Sequence, residues 1–145
     1  MTWPPKPKAK AKPRAKRVVT HPEEDLQRAV TEYLHLALPV GCGVEWSATL
    51  NGIRVSSSIR AKLKALGTNP GVVLDLCFID RRTGSPTFGQ TRWIELKSAR
   101  GVPSSEMQRN IVAALIEAGT GCYARSLEEV EAALRGWDFP LRVRL

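Results

Sequence analysis

Two short apolar segments separated by a turn-rich stretch constrain this chain most strongly. Residues 72–79 form an apolar run that Asp75 interrupts, and residues 93–97 form a second run that contains Glu95. The stretch between them, residues 80–89, is rich in turn-forming residues. This pattern predicts a hairpin in which the two runs pair as neighbouring strands. In such a hairpin Asp75 can lie beside Glu95.

The second run reads Trp-Ile-Glu-Leu-Lys, so its polar and apolar residues alternate. Because strand side chains alternate between faces, Glu95 and Lys97 share one face while Ile94 and Leu96 point into a core. Two carboxylates and one ammonium would then meet at one edge of the sheet. A divalent cation relieves the repulsion between neighbouring carboxylates, and Mg²⁺ prefers such oxygen ligands.

This set of groups is typical of metal-assisted phosphodiester hydrolysis, in which a lysine orients or deprotonates a water molecule or holds a phosphate oxygen. The competing interpretation is a set of charges on the solvated face of a hairpin. The position of Asp75 favours the metal site, since an unpaired charge within an apolar run is costly.

The positive charge of the chain is concentrated at its N-terminus. Of the 22 basic residues, 7 lie in residues 1–17, where there is no acidic residue, so the rest of the chain is almost neutral. These residues are Lys6, Lys8, Lys10, Lys12, Arg14, Lys16 and Arg17. The segment is rich in proline and low in complexity, which predicts a disordered basic arm over residues 1–19 and a folded domain over 20–145. The arm could tether a polyanion through counterion release, solubilise the protein or act as a targeting signal.

The remaining patterns predict eight elements in the order helix, strand, helix, strand, strand, helix, strand, helix. This order indicates an α/β (α+β) fold with one mixed sheet and helices packed around it. The helix after the Glu95 strand could form a right-handed crossover to a parallel strand at residues 121–125. Ser104 or Ser105 is expected to cap that helix, and Ser126 with Glu129 predicts a capping box for the last helix.

No stretch is apolar enough for a membrane span or a signal-peptide core. We therefore expect no membrane partner and a cytoplasmic location. The protein would be associated with the nucleoid, or would lie in the host cytoplasm if a phage encodes it. Cys42, Cys77 and Cys122 are widely spaced, and we interpret them as buried free thiols. Trp46 and Trp93 are expected to be core or interface aromatics rather than platforms for base stacking.

Six segments in order resemble one known family. They are Glu24-Asp25-Leu26-Gln27, Asn51-Gly52-Ile53-Arg54 with Leu63-Lys64-Ala65-Leu66-Gly67, Pro70-Gly71 before Asp75, Glu95-Leu96-Lys97, Ser104 to Gln108, and Gly121 to Ser126. The span from His21 to Leu134 resembles the VRR-NUC domain of the PD-(D/E)xK nuclease superfamily, in its stand-alone phage or bacterial type. The resemblance implies a restriction-endonuclease-like core of mixed sheet and flanking helices.

The resemblance also implies a role for each matching residue. Asp75 and Glu95 would bind Mg²⁺ or Mn²⁺ together with the main-chain carbonyl of Leu96. Lys97 would position or activate the attacking water. Glu24 would be an outer acid that orients a metal-bound water or a second ion.

Two further assignments follow from the same resemblance. Glu23 competes with Glu24 for the role of the outer acid, and the spacing to Gln27 favours Glu24. Gln108 would contact the phosphate or the lysine-bound water, or it is an amide on the helix surface.

One departure from the family pattern bears on the site. The family reads Pro-Gly-x-Pro-Asp, whereas here Asp75 follows Pro70-Gly71 after three residues and has no proline before it. A slip of one residue in a strand moves every side chain to the opposite face. Asp75 therefore faces Glu95 only if the turn or a bulge absorbs the added residue.

The resulting expectation is a Mg²⁺- or Mn²⁺-dependent endonuclease that acts on DNA, as a homodimer and on branched substrates such as four-way junctions. A second basic group consists of Arg54, Arg60, Lys62 and Lys64. This group would contact the phosphate backbone, or it is an ordinary solvated helix face. The alternative function is a non-catalytic nucleic-acid-binding module on a nuclease fold.

Overall fold

A four-stranded mixed sheet with four helices forms the described part of the chain, which confirms the predicted α/β fold class. The computed structural model describes residues 22–49, 56–67, 73–101 and 105–145. The predicted basic arm, Arg54, the Asn51-Gly52 and Pro70-Gly71 turns and Ser104 lie outside these residues. The elements are α1 (Pro22–Ala37), β1 (Val44–Ala48), α2 (Ser57–Ala65), β2 (Leu76–Asp80), β3 (Thr91–Leu96), α3 (Glu106–Glu117), β4 (Gly121–Ala124) and α4 (Leu127–Gly136).

The strands follow each other in the sheet in the order β1-β2-β3-β4. The pairs β1–β2 and β2–β3 are antiparallel, and β3–β4 is parallel. The expected hairpin and the expected parallel step through α3 are therefore both present. The predicted strand at residues 72–79 begins only at Leu76, so Asp75 lies immediately before β2 rather than within it.

The main core lies between one face of the sheet and helices α1 and α4. Its members are fully or almost fully buried: Val30, Leu34, Leu76, Phe78, Ile94, Leu96, Val130 and Leu134. Ile94 and Leu96 lie in this core, as their alternation with Glu95 and Lys97 predicts. The opposite face of the sheet, which carries Glu95, is the face on which the candidate site is built.

Helix caps fix the starts of the two helices that follow β3 and β4. The Ser105 side chain accepts a hydrogen bond of 3.1 Å from the Gln108 N–H, so Ser105 is the cap of α3. The Ser126 side chain accepts a bond of 3.3 Å from the Glu129 N–H. The Glu129 carboxylate accepts in return from the Arg125 N–H at 2.7 Å, one residue earlier than in the predicted capping box.

The hairpin between β2 and β3 is held by a buried carboxylate at the end of β2. Asp80 is only 1% exposed and accepts hydrogen bonds from Arg82 Nε at 3.0 Å, Ser85 Oγ at 2.7 Å and Thr87 Oγ1 at 2.5 Å. The hydrogen bonds from Arg82 hold the pKa of Asp80 well below its usual range, despite burial. Because this loop joins the two strands that carry the acidic residues, it helps to set their register.

We predict that Asp80→Ala lowers the free energy of unfolding by roughly 2–3 kcal/mol, because it leaves several half-buried donors without their charged acceptor. Since the pKa of Asp80 is depressed in the folded state, its stabilisation is present above about pH 4 and is lost as the pH falls below that value. Urea unfolding at pH 7 and at pH 3 measures both effects. Glu45→Ala, which removes an exposed ion pair with Arg81, is the control and should cost less than about 1 kcal/mol. Equal losses for the two variants would contradict this role for Asp80.

Candidate metal centre

Asp75 and Glu95 lie side by side at the point where the β2–β3 ladder ends. The register pairs Leu76 with Ile94, so Asp75, immediately before β2, is a neighbour of Glu95, which follows Ile94 on β3. The Leu96 N–H donates a hydrogen bond of 2.8 Å to Asp75 Oδ2, which fixes the aspartate against β3. Asp75 is 9% exposed and Glu95 is 1% exposed. Both carboxylates are therefore held close together, with little access to water.

The added residue before Asp75 does not turn this side chain away from Glu95. Thr49, at the end of β1, donates its N–H to the Asp75 carbonyl at 2.8 Å and its hydroxyl to the Leu74 carbonyl at 2.6 Å. These bonds hold the chain on its approach to β2. The predicted Pro70-Gly71 turn lies outside the described residues.

Lys97 forms a close ion pair with the glutamate two residues earlier. Its Nζ lies 2.7 Å from Glu95 Oε1, and both side chains are less than a tenth exposed. Burial opposes the charge on Lys97, but the hydrogen bond and the charge of Glu95 outweigh it and raise the pKa of Lys97 above its usual value. Lys97 is therefore an ammonium at neutral pH, which suits it to orient a water or hold a phosphate oxygen rather than to remove a proton.

Gln108 reaches the same carboxylate from helix α3. Its Nε2 donates a hydrogen bond of 2.6 Å to Glu95 Oε1, and its side chain is 3% exposed. The Ser105 cap places this residue in the first turn of α3, from which its side chain reaches Glu95. Gln108 thus contacts the glutamate, and its predicted contact with a phosphate or a water stays a prediction.

Glu95 leaves one oxygen available for a ligand. Its Oε2 is buried and has no hydrogen-bond partner among the described residues, whereas Oε1 is shared by Lys97 and Gln108. An unpaired buried carboxylate oxygen is costly, and a cation would relieve that cost. The donor set of two carboxylates and the main chain of Leu96 fits Mg²⁺, which keeps several waters and takes few protein ligands. No group of three or more acidic, histidine or cysteine side chains is close enough for a metal within the described ranges.

The pKa of Asp75 reflects the same crowding. Burial, and then the charge of Glu95, raise its pKa to about 7, although the hydrogen bond from the Leu96 N–H acts in the opposite direction. Two carboxylates in one dry site resist simultaneous ionisation. A cation bound between them would favour the ionised form of both.

The first turn of α1 brings Glu23, rather than Glu24, within electrostatic reach of the site. The charge of Glu23 contributes to the raised pKa values of both Asp75 and Lys97. A Cβ atom added at Gly101, in the loop after β3, would lie 2.9 Å from Glu23 Oε1. The spacing to Gln27 favoured Glu24 for this role, but the geometry favours its competitor. Adjacent helix residues point about 100° apart, so only one of them can face the site.

Two residues of β4 and its end were not predicted as part of the site. The register pairs Tyr123 with Glu95, and the Tyr123 hydroxyl is buried without a partner among the described residues. Arg125 follows β4, and its Nη1 donates to the carbonyls of Ser98 at 2.8 Å and Gly101 at 2.9 Å. Arg125 therefore anchors the loop after Lys97. Sequence patterns give no signal for such a bond between a side chain and a distant carbonyl.

The predicted second basic group is only partly within the described residues. Arg60, Lys62 and Lys64 are exposed on α2, a helix that has no buried residue. Within the described ranges, no ion pair joins them to the two carboxylates. Their position therefore agrees equally with a phosphate contact and with a solvated helix face.

Comparisons of this chain with models of protein families, with curated proteins and with solved structures give no match. The resemblance to the VRR-NUC family stays a prediction based on motifs, and the case for the metal centre rests on its geometry. Within the described residues, no helix is long and apolar enough to cross a membrane.

We predict that Asp75→Asn stabilises the metal-free protein at pH 8 by roughly 2–4 kcal/mol, because the substitution removes one of two crowded carboxylates. The pKa of Asp75 is raised on folding to about 7, so the aspartate lowers the stability progressively as the pH rises from about 4 to about 7, and the cost stays constant above that. Below about pH 4 the aspartate is protonated in both states, and the benefit of the substitution should disappear. Urea unfolding of both proteins in chelator at pH 8 and pH 4 measures the difference. A variant less stable than the parent at pH 8 would refute the crowding.

The two neighbouring glutamates of α1 form a matched pair for a second prediction. Glu23→Gln should weaken Mn²⁺ binding several-fold, because it removes a negative charge that acts on Asp75 and Lys97. Glu24→Gln removes a charge that is also exposed and should leave the affinity within about twofold. Isothermal titration calorimetry measures both. A larger loss for Glu24→Gln would restore the assignment that the sequence favoured.

Proposed function

We propose that this protein is a Mg²⁺- or Mn²⁺-dependent nuclease that hydrolyses phosphodiester bonds in DNA. The observation that supports this most strongly is the buried site itself. Asp75, immediately before β2, lies beside Glu95 on β3, Glu95 Oε2 has no partner among the described residues, and the Lys97 ammonium lies 2.7 Å from Oε1. Such a set of groups supports metal-assisted hydrolysis of a phosphodiester.

Each residue has a distinct part in the proposed reaction. A divalent cation at this site supplies charge stabilisation for the phosphate and lowers the pKa of water. Asp75 and Glu95 Oε2 would hold the cation, with the main-chain carbonyl of Leu96 as a third protein ligand. The Leu96 N–H fixes the Asp75 carboxylate, and in a strand the carbonyl of the same residue points to the same side.

Lys97 and Gln108 would act on the other side of the glutamate. Both bind Oε1, so they hold the carboxylate in one orientation and leave Oε2 for the cation. The Lys97 ammonium can also stabilise the charge that builds on the non-bridging oxygens of the phosphate during in-line attack. Arg125 keeps the loop after Lys97 in place through two carbonyl groups.

The nature of the substrate follows from charge and from the motif resemblance. The exposed cations of α2 and the basic residues of the N-terminal segment favour a polyanion. The resemblance supplies the further proposals of DNA as the polyanion, of branched DNA as its form, and of a homodimer. Two symmetric active sites in a dimer would suit a junction that itself has two-fold symmetry.

One observation favours a second candidate, a nucleic-acid-binding module without catalysis. Several polar atoms of the site already satisfy each other: the Leu96 N–H binds Asp75, and two side chains bind Glu95 Oε1. A closed network of this kind can be purely structural. The two candidates differ in whether a cation binds, which the following experiment measures.

We predict that the purified protein binds Mn²⁺ and cleaves DNA in its presence. Asp75→Ala should abolish both, because the cation loses a ligand, and Lys97→Ala should lower the cleavage rate at least about 100-fold. Calorimetry and a cleavage assay over duplex, flap, splayed and four-way substrates measure the two effects. Glu45→Gln, on the same sheet face but at the far end of β1, is the control and should cleave normally. Salt-sensitive DNA binding without any Mn²⁺ binding would support the non-catalytic module instead.

A further inference from the structure

The sheet face that carries Glu95 is covered over only part of its width. Helix α3 lies over β4, where a Cβ atom added at Gly121 would come within 2.7 Å of Leu115 Cβ. Over β1 and β2 the same face is open in the described part of the chain: Ser47 is exposed and Ile79 is 41% exposed. Trp93 lies between the covered and the open part, and its side chain is half-buried.

The register arranges the side chains of this face in rows that cross the strands. One row holds Asp75 and Glu95. The next holds Ser47, Cys77 and Trp93, which pair across β1, β2 and β3. Since same-face neighbours along a strand are two residues apart, this row lies roughly 6.6 Å from the carboxylates. The distance between the two rows is about twice the 3.4 Å rise per nucleotide of a stacked strand. One nucleotide of an extended, unstacked strand can therefore span it.

This second row offers no cation for a phosphate, and its chemistry fits the face of a base. Ser47, Cys77 and Trp93 carry no charge at neutral pH, and burial raises the pKa of the Cys77 thiol further. In the following row, the charge of Glu45 is paired with Arg81 at 3.0 Å. An indole beside an apolar strand offers a surface on which a base can stack, and such stacking is largely independent of sequence.

We propose that Trp93, with Cys77 and Ile79, forms a platform for one unpaired base next to the phosphodiester held at Asp75 and Glu95. The inference rests on the proposed nuclease function and names the form of its substrate. A base within a duplex is stacked on both faces and cannot lie on the indole, so the platform selects single-stranded or splayed positions. Trp93 is then a specificity-determining residue.

The two strand tryptophans differ in the way this proposal requires. Trp46 lies on the core face of the sheet, where its ring packs against His35 with centroids 4.9 Å apart. It is a core aromatic, as the sequence predicts. Trp93 lies on the opposite face, one row from the carboxylates, and it does not belong to the core cluster.

The experiment measures the affinity of the full chain for a fluorescein-labelled oligothymidylate and for a duplex of equal length, at one salt concentration and with chelator. Trp93→Ala should weaken binding of the single strand roughly 5- to 100-fold and binding of the duplex less than about twofold. Trp93→Phe keeps an aromatic platform and should retain most of the affinity. Trp46→Phe, on the core face, should leave both affinities unchanged.

A second measurement keeps the test valid if Trp93→Ala is poorly folded. Because Trp3 lies in the basic N-terminal segment, this measurement uses a Trp3→Phe protein as its reference. Single-stranded DNA should quench the tryptophan fluorescence of this reference, and adding Trp93→Phe should remove most of that quenching while the protein still binds. Equal quenching with and without Trp93→Phe would overturn the inference. A shift in oligomeric state on Trp93→Ala, with unchanged affinity for DNA, would also overturn it by showing that a second copy of the chain covers this face.

The failure of this inference can be distinguished from failure of the nuclease proposal. Calorimetry with Mn²⁺ reports on Asp75 and Glu95, neither of which changes in the tryptophan variants. Normal Mn²⁺ binding and cleavage by Trp93→Ala, with unchanged preference among substrates, would reject the platform alone. Unchanged single-strand affinity of Trp93→Ala, together with absent Mn²⁺ binding by the parent protein, would reject both.

Discussion

The hydrogen bond from the Leu96 N–H to the Asp75 carboxylate connects the fold to the chemistry of this protein. Where the β2–β3 ladder ends, this bond takes the place of a main-chain bond. Its acceptor is therefore a carboxylate oxygen instead of a main-chain carbonyl. Glu95 precedes Leu96 on β3 and faces the same side as Asp75. The remaining elements support this point. The Asp80 loop joins the two strands, Thr49 holds the approach to β2, and α3 covers the glutamate.

The arrangement is electrostatically expensive without a cation. Burial and mutual repulsion raise the pKa of Asp75 to about 7, and one oxygen of Glu95 is buried without a partner among the described residues. Lys97 and Gln108 offset part of this cost, but both act on Oε1. Buried charge that the protein only partly neutralises is common at functional sites, where a bound ligand supplies the missing interaction. We therefore interpret the unpaired oxygen as the most informative atom of the site.

The alternation of side chains along β3 predicted much of this picture from the sequence. Apolar Ile94 and Leu96 require a core on one side, which leaves Glu95 and Lys97 on the other. The turn formers after Asp80 predicted the hairpin, although they did not reveal that Asp80 itself is its buried anchor. Whether Asp75 faces Glu95 could not be predicted, because a single added residue before it changes the parity of the strand.

Other parts of the site depend on tertiary geometry. The choice between Glu23 and Glu24 is set by the rotation of α1 about its axis, which the packing of that helix on the sheet determines. The contacts of Arg125 with two carbonyl groups depend on the path of a loop. The open sheet beside Trp93 follows from the extent of α3, since a longer or shifted helix would cover it. None of these features has a local sequence pattern.

The most direct test of the central claim is the anomalous scattering of Mn²⁺ in crystals of the protein. We predict one strong anomalous peak, from a Mn²⁺ ion coordinated by the Asp75 carboxylate, Glu95 Oε2 and the Leu96 carbonyl, with waters completing the coordination. Lys97 and Gln108 should still contact Glu95 Oε1. The absence of a peak at saturating Mn²⁺, with Glu95 Oε2 still buried and the network unchanged, would contradict it.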